Sequence, residues 1–284
     1  MMLRATASRA SVLLAKNPGL FCRMMVAKLA TTRRMPPLPA RKEINGITFE
    51  YDLAAYRGLA PMYFGSYALL VVEAMKRFLG PGGVFIDVGS NIGYLSAIAA
   101  GLVGAQGQVH AFEPALPYFE RLRRLAQLNP SYNIIVNPCG VGEQAGHAKI
   151  YITREAGQNT VVPAYKSGPE IIDTQDIPII RLDSYIEQRR IERISLIKID
   201  AEGFEFPILK GLQRYFATTR HRPPIVCEIA PRAYPLMGNA LSELSDYMKE
   251  QGYTAFDLID ASTAVDITGI KHVDDVLFLA RRAA

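Results

Sequence analysis

The sequence predicts an α/β fold, with a doubly wound and mostly parallel sheet of seven strands and helices on both faces. Three observations predict it. From residue 84 onward, short continuous apolar segments alternate with amphipathic segments of helical period, which is typical of parallel strands buried on both faces. Glycine- and proline-rich turns separate these segments. The last two strands have no helix-length segment between them, so we expect the last strand to run antiparallel.

The elements follow one another in a regular order. Seven strands are predicted at residues 84–88, 108–112, 132–137, 195–200, 224–229, 253–259 and 275–281. Helices with one apolar face are predicted at residues 66–79, around 95–102, around 119–126, at 204–216 and at 240–251. A short strand precedes them at 46–53. Between the third and fourth strands of the sheet come a hairpin-like strand at 148–153, a polar loop that extends to Asp176, and a strand with a helix start at 177–187.

Charge is unevenly distributed along the chain. Residues 1–42 hold nine of the 32 basic residues and none of the 27 acidic ones. Residues 43–284 therefore carry a small acidic excess, and no nucleic-acid partner is predicted. We predict a basic N-terminal extension and linker at 1–42 and one folded domain at 43–284. The expected location is the cytoplasm, and the extension's composition also suits organelle targeting or a peripheral membrane contact.

Acidic residues lie at four of the five central strand ends. They are Asp87, Glu113, Asp200 with Glu202, and Glu228. In open parallel sheets, ligands bind beyond the carboxyl ends of the strands. A buried carboxylate without a partner is costly in free energy, so we expect a ligand that carries ammonium and hydroxyl groups.

The segment "VFIDVGSNIG" indicates which ligand this is. Its pattern is D-x-G-x-N-x-G, in which Gly89 and Gly93 allow a backbone to approach a ligand closely. Asp87 would repel the pyrophosphate of a dinucleotide. Glu113, 24 residues after Gly89, is placed to accept hydrogen bonds from a ribose diol. An ammonium-bearing amino acid joined to a nucleoside fits both features, and S-adenosylmethionine is such a molecule.

Four motifs together resemble the FkbM family of S-adenosylmethionine-dependent methyltransferases. They are "FIDVGSNIGYLS", "VHAFEP", "RLDSYI" and "LIKIDAEGFEFPILKG". The resemblance covers roughly residues 63–281. Ser90 and Ala201 replace the family's usual alanine and valine, and Ala68 replaces an acid. The resemblance implies a Rossmann-like methyltransferase fold and O-methylation of a hydroxyl on a sugar or natural-product-like acceptor.

The resemblance also implies roles for individual residues. The methionine end of the cofactor would be lined by Asp87, Gly89, Asn91 and Gly93. Glu113 would hold the ribose, and the adenine would be flanked by Cys139, Gly140 and Val141. The methyl group and the acceptor would face Asp200 and Glu202.

Catalysis is predicted to involve Asp200, Glu202 and Glu228. A free aliphatic hydroxyl is a poor nucleophile, so a carboxylate that orients or deprotonates it is plausible chemistry. The alternative for Asp200 and Glu202 is a structural role near a helix N-terminus, and Glu228 has an equally plausible structural role. Asp200 and Glu202 are suitable ligands for a divalent ion. Because no third ligand is evident in the sequence, no metal is predicted.

Two other classes of protein remain open from the sequence. A nicotinamide-dependent oxidoreductase would use a similar sheet, although Asp87 in place of a first glycine argues against it. A non-catalytic cofactor-binding scaffold, associated with a membrane through residues 1–42, is the second alternative. The predicted partner of the enzyme is a small-molecule or glycan acceptor with a hydroxyl group.

Overall fold

The computed structural model describes residues 41–51, 60–154, 157–166, 171–258 and 260–280, with the isolated positions 19, 22 and 26. The predicted basic extension therefore lies almost entirely outside the described residues. A hairpin of β1 (Arg41–Ile44) and β2 (Ile47–Glu50) comes first. It includes the end of the predicted linker. The short helix α1 (Ala60–Tyr63) and the helix α2 (Leu69–Phe78) follow.

The main sheet has seven strands. In chain order they are β3 (Val84–Val88), β4 (Gln108–Phe112), β5 (Asn133–Asn137), β9 (Leu196–Ile199), β10 (Ile225–Ile229), β11 (Tyr253–Asp257) and β12 (Asp274–Ala280). Their spatial order is β11-β12-β10-β9-β3-β4-β5. Strand β12 pairs antiparallel with both β10 and β11, and the pairs among β5, β4, β3, β9 and β10 are parallel. The α/β fold and the antiparallel last strand predicted from the sequence are confirmed.

Helices connect the strands and cover both faces of this sheet. They are α3 (Tyr94–Val103), α4 (Leu116–Leu128), α5 (Leu182–Gln188), α6 (Glu205–Lys210), α7 (Gln213–Thr218) and α8 (Leu241–Glu250). The helix predicted at 204–216 is thus two short helices separated by Gly211 and Leu212. Neighbouring residues of β3 show the two-sided burial, because Phe85 and Ile86 belong to different apolar clusters.

The chain changes direction in the sheet between β3 and β9. Strand β3 pairs with β4 on one side and with β9 on the other, although β9 follows β3 by more than a hundred residues in the sequence. The loops after β3 and β9 therefore leave the sheet side by side. Such a switch point opens a crevice beyond the carboxyl ends of the strands.

A second, three-stranded sheet covers this end of the molecule. It consists of β6 (Gly140–Val141), β7 (Gly146–Thr153) and β8 (Ile171–Ile180), in the order β6-β8-β7. The prediction of a polar loop that extends to Asp176 is wrong from Ile171 onward, where β8 begins. Residues from Ile171 onward pair antiparallel with β7, for example Thr174 with Tyr151. The first half of β8 is mostly exposed and includes polar side chains. It therefore lacks the continuous apolar run that predicts a buried strand.

The long stretch without charged residues between Val88 and Phe112 is divided among several short elements. It forms the end of β3, a turn, α3, a second turn and β4. Within the described part of the chain, no helix has both the length and the apolar character that a membrane span requires.

Candidate functional site

A cavity lies at the switch point, beyond the carboxyl ends of β3, β4 and β9. Its empty space is about 930 Å³, a figure that includes open solvent at its mouth. The predicted cofactor residues that line it are Gly89, Asn91, Glu113, Cys139, Gly140 and Val141. Asp200 and Glu202 line it as well. The topology thus brings segments that are far apart in the sequence to one site.

Gly89 allows the two central loops to touch. Its φ of 78° lies in the left-handed region, which glycine adopts without the strain that a side chain would add. A Cβ atom at this position would lie 1.8 Å from the carbonyl oxygen of Asp200. The backbone after β3 therefore packs directly on the backbone after β9, and no other residue fits there.

Glu113 lies at the end of β4 and is almost fully buried. Its Oε2 accepts a hydrogen bond from the backbone N–H of Asn91 at 2.8 Å, and its Oε1 accepts one from that of Ala115 at 2.9 Å. Burial raises the pKa of Glu113 to about 7, although these two donors oppose the rise. The carboxylate thus fixes the loop after β3 while it faces the cavity, where it has the acceptor oxygens that a ribose diol requires.

Part of the cavity lining is apolar. Its members include Cys139, Val141, Ile179 and Phe204. A Cβ atom on Gly140 would lie 2.6 Å from Cδ1 of Ile179, so the glycine lets β6 pack closely on this side chain. Apolar side chains suit a planar base, and Glu113 of the same lining offers carboxylate oxygens to a ribose. The lining residues therefore fit an adenosine-containing cofactor.

The three predicted catalytic carboxylates lie close together. One side-chain oxygen each of Asp200, Glu202 and Glu228 falls within 4.8 Å of the other two. The third ligand that the sequence did not reveal is thus Glu228, which comes from β10. These three residues have the donor chemistry to hold a divalent cation, and the predicted absence of a metal stays a prediction.

Burial sets the protonation of this cluster. Burial, with Asp200 as an added negative neighbour, raises the pKa of Glu202 to about 7. Burial and the surrounding carboxylates raise the pKa of Glu228 to about 11. Its Oε2 is buried without a hydrogen-bond partner among the described residues. The charge of Glu202 therefore changes near neutral pH, whereas Glu228 is predominantly protonated there.

Two of the predicted cofactor residues do not line the cavity. Asp87 is completely buried inside β3, where Ser96 donates a hydrogen bond to its Oδ2 at 2.6 Å. Its Oδ1 lies 3.4 Å from Nζ of Lys198. The expectation that a ligand ammonium neutralises Asp87 is therefore wrong, because the protein supplies the cation. Gly93 faces α4 instead, since a Cβ atom there would lie 2.8 Å from side-chain atoms of Leu122 and Leu125.

Two lysines of the site were missed in the sequence. Lys198 lies in β9 and lines the cavity. A lysine between two isoleucines in an apolar strand is a signal that could have revealed it. Lys166 lies 3.2 Å from the Glu202 carboxylate and comes from the polar segment between β7 and β8, where no sequence signal indicated it.

The segment 157–166 brings further groups to the cavity. Gly157, Asn159 and Val161 line it. Thr160 donates a hydrogen bond from Oγ1 to the carbonyl oxygen of Glu202 at 2.8 Å. Glu202 has a positive φ of 50°, which is strained for a residue with a side chain. This segment therefore holds Glu202 in a conformation that the chain would not adopt by itself.

Comparisons with known proteins show the family to which this chain belongs. A family model described as the methyltransferase FkbM domain matches residues 87–255. Methyltransferase sdnD of Sordaria araneosa is 29% identical over 154 residues, which cover 45% of this chain and 59% of the relative. Hexuronic acid methyltransferase AglP of Haloferax volcanii is 29% identical over 129 residues, 45% of this chain and 49% of the relative.

A third relative is the 31-O-demethyl-FK506 methyltransferase FkbM of Streptomyces tacrolimicus. It is 30% identical over 161 residues, which cover 48% of this chain and 61% of the relative. The alignments thus span between about half and three-fifths of these curated relatives. The family model covers more than half of this chain, including the β3 loop, Glu113 and the carboxylate cluster. The predicted resemblance is confirmed, and the chain belongs to the FkbM methyltransferase family.

Proposed function

We propose that this protein transfers the methyl group of S-adenosylmethionine to a hydroxyl oxygen of a small-molecule or sugar acceptor. One observation carries the proposal: a single cavity is lined by Glu113, which suits a ribose, and by Asp200 and Glu202, which suit an acceptor hydroxyl. The family membership supports the methyltransferase class and S-adenosylmethionine as the cofactor.

The chain's own residues suit this chemistry. When bound, S-adenosylmethionine supplies an electrophilic methyl group, whose bond to sulfur breaks as the acceptor oxygen attacks. Asp200 and Glu202 orient the acceptor hydroxyl, and Glu202 accepts its proton. A base is most effective when its pKa is close to the working pH, and the pKa of Glu202 is raised to about 7 by burial and by Asp200. Alignment of the two reactants by the cavity is expected to contribute most of the rate.

The acceptor class rests on the donor chemistry of the site and on the names of relatives. Carboxylates are hydrogen-bond acceptors, which suits an acceptor rich in hydroxyl groups. One relative is named for a hexuronic acid and another for an O-demethyl natural product. We propose the same broad class for this chain and a cytoplasmic location. The alternatives are organelle targeting and a peripheral membrane contact through residues 1–42, and liposome co-sedimentation with and without these residues tests the membrane contact.

The proposal is tested with a labelled methyl donor. Purified protein is incubated with isotopically methyl-labelled S-adenosylmethionine and a cell extract, and mass spectrometry identifies labelled products. Calorimetry with S-adenosylmethionine and S-adenosylhomocysteine is expected to give dissociation constants on the order of micromolar. Absence of binding to both molecules would contradict the proposal.

Conservative substitutions separate binding from catalysis. Asp200→Asn and Glu202→Gln remove one charge each and change the side-chain volume little. We expect each to lower the rate of label transfer by about 100-fold or more, while the S-adenosylhomocysteine affinity changes much less. If both variants transfer methyl groups at the parent rate, neither carboxylate takes part in the reaction.

A further inference from the structure

Lys198 is an unusual residue for its place in the fold. It lies in β9 between Ile197 and Ile199, and its side chain is only 5% exposed. The strand is otherwise apolar and buried on both faces. Burial of an unpaired ammonium group lowers the free energy of unfolding by about several kcal/mol. The protein must therefore compensate this charge with nearby acceptors or carboxylates.

Its ammonium group contacts both central loops. Nζ donates a hydrogen bond to the carbonyl oxygen of Gly89 at 2.8 Å. It lies 3.4 Å from Oδ1 of Asp87 and 3.4 Å from Oδ2 of Asp200. Burial by itself would lower the pKa of Lys198, but the carboxylates of Asp200 and Asp87 outweigh it and raise the pKa. Lys198 is therefore charged under all ordinary conditions.

The two carboxylates differ in a way that indicates a role beyond folding. The side chain of Asp87 is fully buried, whereas that of Asp200 is 31% exposed and lines the cavity. Asp87 is thus the buried partner of Lys198, and Asp200 is the partner that reaches the cavity. The additional contacts join Lys198 to the loop expected to contact the cofactor and to a carboxylate expected to contact the acceptor.

We propose that Lys198 is a positioning residue that couples cofactor binding to the orientation of Asp200, because one ammonium group holds both the Gly89 carbonyl and the Asp200 carboxylate. This inference rests on the proposed function of the cavity. The physical basis of the coupling is the contact between the loops after β3 and β9 at Gly89. Because the two backbones touch, a ligand that moves the Gly89 loop also changes the distance between Lys198 and Asp200.

The test compares proteins with and without the lysine. Removal of Lys198 alone would leave Asp87 buried as an unpaired charge, so both proteins carry Asp87→Asn, which has nearly the same volume. We compare Asp87→Asn with Asp87→Asn/Lys198→Met. Lys210→Met is the matched control, because Lys210 is a partly exposed lysine on α6 that lies 3.6 Å from Glu143, outside the site.

The first measurement is S-adenosylhomocysteine binding by calorimetry. Loss of the charged hydrogen bond to Gly89 is expected to weaken binding on the order of tenfold relative to Asp87→Asn. The Lys210→Met protein is expected to bind as the parent does. An affinity within twofold of that of Asp87→Asn, in a folded Lys198→Met protein, would contradict a role for Lys198 at the Gly89 loop.

The second measurement follows Asp200 itself and separates positioning from simple support of the fold. The proteins carry carbon-13 in the aspartate carboxyl groups, and the Asp200 signal is assigned with Asp200→Asn. S-adenosylhomocysteine is expected to shift this signal in the Asp87→Asn and Lys210→Met proteins. Without Lys198 the shift is expected to disappear. A shift of unchanged size without Lys198 would overturn the inference.

The unsubstituted chain provides a test that needs no core substitution. If S-adenosylhomocysteine binds it and the Asp200 signal does not move, the coupling does not exist, whatever the variants do. If S-adenosylhomocysteine and S-adenosylmethionine both fail to bind the unsubstituted chain, it is the proposed function that fails. The two failures are therefore distinguishable.

Discussion

Glu113 serves the fold and the ligand with one side chain. Its two oxygens accept hydrogen bonds from the backbone of Asn91 and Ala115, so the carboxylate closes the loop after β3 onto the end of β4. Each oxygen has a further lone pair for a ligand. Its substitution should therefore affect cofactor binding through both the direct contact and the loop.

We expect Glu113→Ala to weaken S-adenosylhomocysteine binding about 10- to 100-fold, the range for loss of hydrogen bonds to a charged group. Calorimetry measures the affinity. Glu120→Ala is the control, because Glu120 lies on the exposed face of α4, where it pairs with Arg123. An unchanged affinity in Glu113→Ala would contradict the assignment of the ribose site to this residue.

At the scale of elements, the turn between β3 and α3 depends on Gly89. Its backbone has a positive φ, and a side chain there would collide with the backbone of the loop after β9. Gly82 offers a close comparison. Its φ is 77°, almost the same as at Gly89, but nothing lies within 4 Å of its would-be Cβ atom.

We expect Gly89→Ala to lower the free energy of unfolding by about 2 to 5 kcal/mol, from backbone strain plus overpacking. It should also abolish S-adenosylhomocysteine binding. Gly82→Ala should cost only about 1 to 2 kcal/mol, the strain alone. Denaturant unfolding measures both. Equal losses of stability in the two variants would show that the contact between the loops has no energetic consequence.

The segment between β7 and β8 is the second element that shapes the site. Lys166 lies beside Glu202, and its charge lowers the pKa of Glu202, whereas burial and Asp200 raise it to about 7. A carboxylate acts as a base only when it is ionised. The value of kcat/KM, which reports ionisation of the free enzyme, should therefore rise with pH through about 7 and level off above it.

We expect Lys166→Met to move this rise in kcat/KM to higher pH, because the pKa of Glu202 loses a neighbour that lowers it. The pH dependence of label transfer measures the position of the rise. Lys149→Met is the control, since Lys149 forms an exposed ion pair with Asp176 at 3.5 Å on the same sheet. A rise at the same pH in the Lys166→Met protein would exclude Glu202 as the group responsible.

At the scale of the whole molecule, the cavity joins segments from most of the sheet. A ligand that binds only this assembled cavity stabilises the folded chain. At 100 times its dissociation constant, S-adenosylhomocysteine is expected to add about 2.7 kcal/mol to the free energy of unfolding. Thermal unfolding with and without the ligand measures this. If reduced nicotinamide dinucleotide stabilises the chain by this amount and S-adenosylhomocysteine does not, the result would favour the oxidoreductase alternative.

Much of the fold was predictable because its signals are local. Apolar strands such as Val84–Val88 and Gln108–Phe112 coincide with the predicted segments, since burial on both faces requires an uninterrupted apolar run. The strand from Ile171 was missed because its first half is mostly exposed and carries the polar residues Asp173, Thr174 and Gln175. The break in the helix predicted at 204–216 falls at Gly211 and Leu212, and the glycine is a signal that the prediction did not use.

The sequence by itself determined the order of strands and helices, the methyltransferase family, and which acidic residues follow the strands. Those features depend on residue type and spacing along the chain. Only the tertiary structure decided which of those acids share the cavity. It turned Asp87 and Gly93 away, brought Glu228 to Asp200, and placed Lys166 and Lys198 beside the carboxylates. The reason is that charge compensation in a buried site depends on distances between strands that are remote in sequence.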